Sequence, residues 1–233
     1  MNKIAIITGG SRGIGKAVAT EFASHGFNLI ICGRNEETLI EISEELSVKG
    51  VSVNYFIADL SKEEDCNGFV NFVKAKTSRV EVLVNNAGVF LPGTLMDEPD
   101  GQMQYQMDLN FFSAYYITRG LWNLLPRNER SHVFNMCSIA SIVAYSAGGG
   151  YAVSKHALIG FSKSLREEGK NLGVRVSSIL PGATYTDSWS GAGIEESRFM
   201  RSIDVAKAIY YAYDINEFSV IEEVLIRPVL GDI

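Results

Sequence analysis

The chain contains 233 residues, of which 46% are hydrophobic, 21% are charged and 10% are aromatic. This composition is typical of a globular protein, and it excludes a disordered chain, a coiled coil and a collagen-like repeat. The 21 Lys and Arg residues are outnumbered by 27 Asp and Glu residues, which gives a net charge of −6. Binding to a nucleic acid backbone requires a basic excess, so nucleic acid is not an expected partner.

Hydropathy and cysteine usage exclude further classes. No apolar run approaches the roughly 18 residues of a membrane helix, and the first apolar stretch is too short for a signal peptide, so we expect a cytoplasmic protein without a membrane partner. The cysteines, Cys32, Cys66 and Cys137, are widely spaced and form no C-x-x-C pair, which indicates reduced structural thiols. The histidines show no ligand spacing, so no metal is expected.

Short runs rich in Val and Ile alternate with longer amphipathic segments along the chain. The predicted strands are 3–7, 28–32, 51–57, 80–84, 132–136, 174–180 and 220–226. The predicted helices are 13–25, 35–48, 62–77, 101–126, 149–171 and 203–213. Near-continuous apolar runs indicate strands covered on both faces. The β-α-β alternation therefore predicts one α/β domain, with a doubly wound, parallel, seven-stranded sheet of the Rossmann type that binds ligands at the carboxyl ends of its strands.

A glycine-rich turn joins the first predicted strand to the first predicted helix. Gly9, Gly13 and Gly15 have the spacing G-x-x-x-G-x-G, which is longer than the general G-x-G-x-x-G dinucleotide fingerprint. Glycines at a helix N-terminus expose backbone N–H groups to a pyrophosphate without an intervening side chain. The turn therefore predicts a dinucleotide site, and the alternative interpretation is a glycine-rich turn without a ligand.

The end of the second predicted strand indicates which dinucleotide binds. An NAD site carries an acid here for the ribose 2′-hydroxyl, but this sequence has Arg34. Arg34 and Arg12, which lies in the glycine turn, would surround a 2′-phosphate, so NADP(H) is the predicted cofactor. Arg34 could instead be a solvated charge before a helix cap. Asp59 could accept a hydrogen bond from an adenine amino group, or it could be an ordinary loop aspartate.

Polar residues also follow the later strands, at the same edge of the sheet. Asn85 to Gly88 follow the fourth strand, Ser138 the fifth and Pro181 the sixth, while Tyr151 and Lys155 open the fifth helix. Tyr151 and Lys155 are four residues apart, so they lie on one helix face. A nearby ammonium would lower the tyrosine pKa towards neutral pH. Ser138 could hydrogen-bond a substrate oxygen as charge develops on it, so the set predicts a carbonyl reductase.

Together these motifs resemble the short-chain dehydrogenases/reductases of the Tyr-Lys type over nearly the whole chain. Thr8 to Gly15 is similar to that family's T-G-x-x-x-G-x-G loop, Asn85 to Gly88 to its N-N-A-G turn, and Pro181 to Thr186 to its P-G-x-x-x-T segment. The resemblance implies cofactor contacts from Gly9, Ser11, Arg12, Gly13, Ile14, Gly15, Arg34, Asp59, Leu60, Asn86, Ala87, Gly88, Tyr151, Lys155, Pro181, Gly182, Thr184 and Thr186.

The resemblance also implies a catalytic set of Asn110, Ser138, Tyr151 and Lys155. Tyr151 would be the general acid/base, and Ser138 would orient the carbonyl. Lys155 would lower the tyrosine pKa and hold the nicotinamide ribose, while Asn110 would kink its helix and support a water that relays protons. Taken singly, Asn110, Ser138 and Lys155 could each be an ordinary structural residue.

The segment after Thr186 departs from the family pattern, because a short stretch, 187–201, replaces the usual helical lid. It suits either an aromatic flap over a ligand, with Trp189, or a plain surface loop. The chain end lacks the V-D-G-G tail of related 3-oxoacyl carrier-protein reductases and resembles sepiapterin-reductase-type members, in which an acid anchors a pterin. Asp232 is the candidate anchor or merely a terminal carboxylate. The candidate substrate contacts are therefore Ser138, Tyr151, Trp189 and Asp232.

The favoured function is NADPH-dependent reduction of a small-molecule ketone or aldehyde, with sepiapterin or another dicarbonyl or pterin as a candidate substrate. One alternative is 3-oxoacyl-(acyl-carrier-protein) reduction. An alternative of another class is a catalytically idle NADP(H) sensor or interaction protein. By resemblance we expect a homodimer or homotetramer that pairs helices 101–126 and 149–171, and the aromatic content of the first helix is compatible with a buried partner face.

Overall fold

The computed structural model describes residues 3–127, 130–186, 189, 193–231 and 233. The strands are β1 (Ile4–Thr8), β2 (Asn28–Gly33), β3 (Val53–Ile57), β4 (Val82–Asn85), β5 (His132–Met136), β6 (Arg175–Pro181), β7 (Thr184–Tyr185), β8 (Met200–Arg201) and β9 (Glu223–Ile226). The α-helices are α1 (Gly13–Ser24), α2 (Glu36–Ser47), α3 (Glu63–Lys76), α4 (Gln102–Met107), α5 (Ser113–Leu121), α6 (Gly149–Lys170) and α7 (Ser202–Asp214).

Seven of these strands form one parallel sheet in the order β3-β2-β1-β4-β5-β6-β9. The chain runs outward from β1 to β3 and then returns to place β4 on the other side of β1, with Ile7 opposite Val84. A crevice opens at such a reversal, outside the carboxyl ends of the strands. The predicted doubly wound, seven-stranded sheet is therefore confirmed, and its switch point lies between β1 and β4.

Two apolar cores cover the two faces of the sheet. On one face α1, α2 and α7 pack through residues such as Phe22, Leu39 and Ile209. On the other face α3, α5 and α6 pack through residues such as Phe69, Ile117 and Leu165. Consecutive side chains of an inner strand, such as Ile6 and Ile7, point into opposite cores, so both faces of each inner strand are buried. This burial explains the continuous apolar runs in the sequence.

The helix predicted over 101–126 is present as a continuous helical segment over 102–124, but it is not one regular α-helix. The segment consists of α4, a π-helical turn at Asp108–Phe112, α5 and a 3-10 turn at Trp122–Leu124. The π turn adds a residue to one helical turn, which an apolar pattern of period 3.6 does not reveal. The short pair β7 and β8 was not predicted either, because two-residue strands carry no periodicity. The other predicted elements are present, with ends shifted by up to three residues.

Among the described residues, no helix has both the length and the apolar character that crossing a bilayer requires.

Candidate active site

The turn after β1 presents its backbone to a cavity at the switch point. Gly9 (φ 63°) and Gly13 (φ 54°) adopt left-handed conformations that favour glycine. A Cβ on Gly15 would lie 2.0 Å from the carbonyl oxygen of Gly9, so a side chain does not fit there. Helix α1 has no acidic residue in its first turn, and Arg12, its N-cap, makes no side-chain capping bond. The N-terminus of α1 can therefore accept an anionic group.

The end of β1 is tied to the turn after β4. Thr8 Oγ1 accepts hydrogen bonds from the backbone N–H groups of Asn86 at 2.9 Å and Ala87 at 3.0 Å. Asn86 Nδ2 in turn donates to the carbonyl oxygens of Thr8 and Gly9. Asn85 points into the core instead, where its Nδ2 donates to Thr118 and Asn135. The structure thus brings the predicted Asn86 and Ala87 beside the glycine turn, while Gly88 lies next to Asn110 and Lys155.

One end of the cavity carries the two arginines that were predicted to bind a 2′-phosphate. Arg12 and Arg34 both line it, together with Ser11 and Leu60. Arg34 is exposed, and its Nη1 donates to the hydroxyl of Tyr105 on α4 at 3.2 Å. Asp59 is outside the cavity lining, and its Oδ1 accepts hydrogen bonds from the backbone N–H and the hydroxyl of Ser61. The lining therefore supports the predicted cofactor contact of Leu60 and gives no support to the predicted adenine contact of Asp59.

Ser138, Tyr151 and Lys155 meet at the opposite end of the cavity. Ser138 follows β5, and its Oγ accepts a hydrogen bond from the N–H of Ala140 at 3.1 Å while the hydroxyl also bonds Tyr151. Lys155 lies one turn beyond Tyr151 on α6, with its Nζ 5.7 Å from the centre of the tyrosine ring. Lys155 Nζ donates to the carbonyl oxygen of Met136 at 2.7 Å. These three predicted residues are therefore brought together.

Burial shifts the pKa of both ionisable groups in this set. It raises the pKa of Tyr151 to about 12, although the hydrogen bond from Ser138 acts to lower it. It lowers the pKa of Lys155 to about 8. The sequence predicted a net lowering of the tyrosine pKa, and the site without cofactor shows the opposite direction. The reason is that desolvation of the phenolate is the larger effect.

Asn110 lies in the π turn between α4 and α5 and is 1% exposed. Its Oδ1 accepts from the N–H of Val89 at 2.7 Å, and its Nδ2 donates to the carbonyl oxygen of Val89 and to Ser154 Oγ. The side chain thereby joins the turn after β4 to α6, three residues from Tyr151. The helix irregularity that the resemblance implied at Asn110 is present, and the side chain of Asn110 links the two segments by hydrogen bonds.

The segment after β6 closes the cavity over the glycine turn. Pro181, Gly182, Thr184 and Thr186 all line the cavity. A Cβ on Gly13 would lie 3.3 Å from Thr186 Cγ2, so the two segments are in close contact. Trp189 also lines the cavity, and its ring centre lies 5.0 Å from that of the buried Phe199. Most of 187–192 lies outside the described residues, so flap and loop remain alternatives for this segment.

The cavity measures about 550 Å³ and is lined by nearly all the predicted cofactor residues. Asp232, the candidate pterin anchor, lies outside the described residues.

All three cysteines are free and buried, as predicted. In the described part of the chain, His, Cys, Asp and Glu residues form no group of three that could hold a metal ion.

Sequence reasoning missed a group of residues that belong to this site. Thr8 joins two loops, and Phe90, Ile139, Val143, Tyr145 and Ile233 line the cavity. Thr8 is the first residue of the T-G-x-x-x-G-x-G motif, so its place in the motif was a signal. The others are ordinary apolar residues in loops or turns, and only the fold brings them together.

Comparisons with known proteins agree with this architecture. A family model described as short chain dehydrogenase matches residues 3–197. Sepiapterin reductase from Chlorobaculum tepidum is 30% identical over 241 residues, which cover 100% of this chain and 99% of that protein. A 3-oxoacyl-(acyl-carrier-protein) reductase from Chlamydia muridarum is 34% identical over 192 residues, which cover 82% of this chain and 77% of that protein.

Among solved structures, the alcohol dehydrogenase from the archaeon Thermococcus sibiricus, complexed with 5-hydroxy-NADP, superposes with a TM-score of 0.91. It is 26% identical, and the alignment covers 100% of this chain and 99% of that chain. On the family match, the sequence relatives and the shared fold, this chain belongs to the short-chain dehydrogenase family.

Proposed function

We propose that the protein is an NADP(H)-dependent reductase of ketone or aldehyde carbonyls in small molecules. One observation carries the proposal: Ser138, Tyr151 and Lys155 converge at one end of a cavity whose other end is formed by the glycine turn and two arginines. We also propose that the whole chain is one catalytic domain that forms a homodimer or homotetramer. The net charge of −6 supports small molecules rather than nucleic acid as partners.

The residues present fit a phosphorylated dinucleotide. The glycine turn offers uncapped N–H groups at the start of α1, and a Cβ at Gly15 would collide with the turn's own backbone, which suits a pyrophosphate. Arg12 and Arg34 would hold the 2′-phosphate, and Lys155 would hold the nicotinamide ribose. The dinucleotide complexed with the Thermococcus enzyme is an NADP derivative, which supports the same cofactor here. When bound, NADPH supplies a hydride to the carbonyl carbon.

The chain's own residues handle the proton. Tyr151 would donate its hydroxyl proton to the carbonyl oxygen as the C=O π pair moves onto that oxygen, so the product is an alcohol. Ser138 would donate a hydrogen bond to the same oxygen and limit the charge that builds up there. The Lys155 ammonium has three donors and uses one on Met136. Its charge would stabilise the phenolate that the transfer leaves behind.

Sepiapterin or another dicarbonyl is our first candidate substrate. The support is the Chlorobaculum tepidum relative, which is a sepiapterin reductase and aligns over 100% of this chain. A 3-oxoacyl thioester is the second candidate, because the Chlamydia muridarum relative is 34% identical over 192 residues. Comparing kcat/KM for sepiapterin and for acetoacetyl-coenzyme A would separate these two candidates.

The test of the proposed function is Tyr151→Phe. We expect NADPH-dependent reduction of carbonyl compounds to fall about 10³-fold, because the proton donor is lost. NADPH binding, measured by fluorescence titration, should change little. Tyr211→Phe is the matched control, since Tyr211 is 69% exposed and lies on α7. If the parent protein binds NADPH but reduces nothing across a broad carbonyl panel, the idle sensor is the correct alternative.

A further inference from the structure

A group of buried polar side chains lies at the amino ends of β5 and β6, at the edge of the sheet opposite the cavity. His132 and Arg175 begin these strands and stand opposite each other. Tyr213 on α7 has its ring centre 5.4 Å from Arg175 Cζ and 5.8 Å from Arg130 Cζ. His132 is 0% exposed, Tyr213 1% and Arg175 7%. We call Arg130, His132, Arg175 and Tyr213 the basal cluster.

Both arginines of the basal cluster cap the end of α7. Arg175 Nη2 donates to the carbonyl oxygen of Tyr213 at 3.0 Å. Arg130 Nη2 donates to the carbonyl oxygens of Asp214 at 2.7 Å and Ile215 at 2.8 Å. Cations are favoured at a helix C-terminus, so these bonds explain why basic residues stand here. They use only part of each guanidinium group, which carries five N–H donors.

Several of the remaining donors are buried and have no acceptor among the described residues. They are Nε and Nη1 of Arg175, Nε of Arg130 and the hydroxyl of Tyr213. A buried donor that makes no hydrogen bond destabilises the folded state, and the cost is greater on a charged group. Four such atoms on three neighbouring side chains therefore indicate a bound acceptor.

Positive charge accumulates around the ring of Tyr213. Arg130 and Arg175 face this ring, and Lys3 Nζ lies 5.8 Å from its centre. Burial lowers the pKa of Arg175, and the charge of Arg130 acts in the same direction. A tyrosine ring attracts cations through its face, but it carries no net charge. The ring therefore does not neutralise the two arginines.

The carboxylates near the basal cluster are occupied or distant. Glu81 Oε2 accepts from the backbone N–H of Ile4, and its Oε1 accepts from Arg79 Nε. Asp214 Oδ1 lies 3.9 Å from Arg130 Nη2, and the Asp214 side chain is 58% exposed. An ion pair this long and this exposed contributes little. The charge balance therefore favours an anion over a neutral acceptor.

His132 indicates where a water molecule would bind instead. Ser177 Oγ donates to the carbonyl oxygen of Ile221, so it accepts from His132 Nε2. His132 Nδ1 is then a buried acceptor without a partner among the described residues. A water could donate to Nδ1 and accept from Arg175. It would leave both arginines without a counter-charge, so water is the competing occupant that an experiment has to exclude.

We propose that the basal cluster binds a small monovalent anion, such as chloride, between the guanidinium groups of Arg130 and Arg175 and the hydroxyl of Tyr213. A halide accepts hydrogen bonds and donates none, which matches the donors available. A divalent anion such as sulfate would lose more hydration on entering so buried a position. The site lies at the edge of the sheet opposite Tyr151, and it does not depend on the proposed reductase function.

Thermal unfolding at constant ionic strength tests whether the folded protein binds the anion. We expect the melting temperature to rise by about 3 °C when 0.2 M sodium gluconate is replaced by sodium chloride, because a ligand of the folded state stabilises it. Arg175→Met should abolish this rise, and Tyr213→Phe, which removes only the hydroxyl, should reduce it to about half. Arg201→Met is the control and should keep the parent's rise, since the Arg201 side chain is 75% exposed.

Bromide diffraction locates the anion in the parent protein, so this test does not depend on whether Arg175→Met folds. In crystals soaked in sodium bromide we expect an anomalous peak within about 3.5 Å of Arg175 Nε or Nη1. If water alone occupies the basal cluster, or if bromide binds only at the glycine turn with Arg12 and Arg34, the proposal is wrong. It is also wrong if a folded Arg175→Met keeps the full chloride-dependent rise.

Discussion

Lys155 and Tyr151 are buried in the same site. Burial disfavours the charged form of both side chains, so it shifts their pKa values in opposite directions. It holds Tyr151 protonated, with a pKa raised to about 12, and it favours loss of the proton from Lys155, with a pKa lowered to about 8. A protonated tyrosine is the form that donates to a carbonyl oxygen. Burial therefore favours the protonated tyrosine that the proposed reductase function requires.

Lys155 should reduce the stability of the protein at neutral pH. Between its folded pKa of about 8 and its ordinary value of 10.5, the unfolded chain binds more protons. Stability therefore rises with pH through this window, and the full cost of burying the charge is present below it. The shift, in which the hydrogen bond to Met136 is already included, corresponds to about 3 kcal/mol.

We predict that Lys155→Met melts at a temperature about 5 °C higher than the parent at pH 7. The difference should shrink by pH 10, where the parent lysine is largely neutral. Thermal unfolding at several pH values measures both. Lys163→Met on the same helix is the control, since its side chain is 65% exposed. A gap between Lys155→Met and the parent that does not change with pH would contradict a charge-burial origin.

Arg34 should determine the preference between the two nicotinamide dinucleotides. We predict that Arg34→Ala weakens NADPH binding roughly 10- to 100-fold, the loss expected for a charge-assisted hydrogen bond to phosphate, while NADH binding changes little. Fluorescence titration with both nucleotides measures the ratio. Arg201→Ala is the control, because the Arg201 side chain is 75% exposed and pairs with Asp204. If Arg34→Ala weakened the binding of NADPH and NADH equally, Arg34 would not contact the 2′-phosphate.

At the scale of elements, the glycine turn and the Tyr151–Lys155 spacing could be predicted because each depends on residues close in the chain. The parallel sheet could also be predicted, because strands buried on both faces leave continuous apolar runs. The π turn at Asn110 could not be predicted from the apolar pattern, which one extra helical residue does not change, and only the family resemblance indicated an irregular helix there. Val143 and Tyr145 could not be placed either, because their position beside Ser138 depends on how a loop folds back between β5 and α6.

The N-terminus of α6 is another feature that depends on residues distant in the chain. Its first turn contains no acidic residue, but Glu98 supplies one from another segment, and Glu98 Oε2 accepts from the N–H of Gly150 at 3.0 Å. A Cβ on Gly149 would lie 2.5 Å from the carbonyl oxygen of Gly93, so glycine permits this close approach. Because Tyr151 is the next residue, we expect Glu98 to position this proposed proton donor.

We predict that Glu98→Gln lowers kcat about fivefold and leaves NADPH affinity close to that of the parent, because about 1 kcal/mol of helix-terminal stabilisation is lost beside Tyr151. Steady-state kinetics combined with NADPH titration would separate the two effects. Asp100→Asn, at an exposed carboxylate in the same loop, should leave kcat unchanged. A matching fall in NADPH affinity would indicate general loosening of the fold rather than misplacement of Tyr151.

At the scale of the whole molecule, one aromatic surface has no partner within the described chain that would bury it. Phe111 and Tyr115, on the π turn and α5, and Phe161 on α6 are half-buried, with ring centres about 6 Å apart. The helices that carry them also hold Asn110, Tyr151 and Lys155. A two-fold copy packed on this surface would cover the rings and brace the helices that carry the site.

We predict that the protein forms at least a dimer through this surface, and that Phe161→Glu shifts it to a monomer, because a charge would be buried among the partner's aromatic rings. Light scattering after size-exclusion chromatography measures the mass. Val48→Glu is the control, since Val48 is 88% exposed at the end of α2, and its mass should match the parent's. If the parent is a monomer, or if Phe161→Glu keeps the parent's mass, a different surface or none pairs the chains. Loss of activity in a folded Phe161→Glu monomer would further indicate that pairing supports α6 and Tyr151.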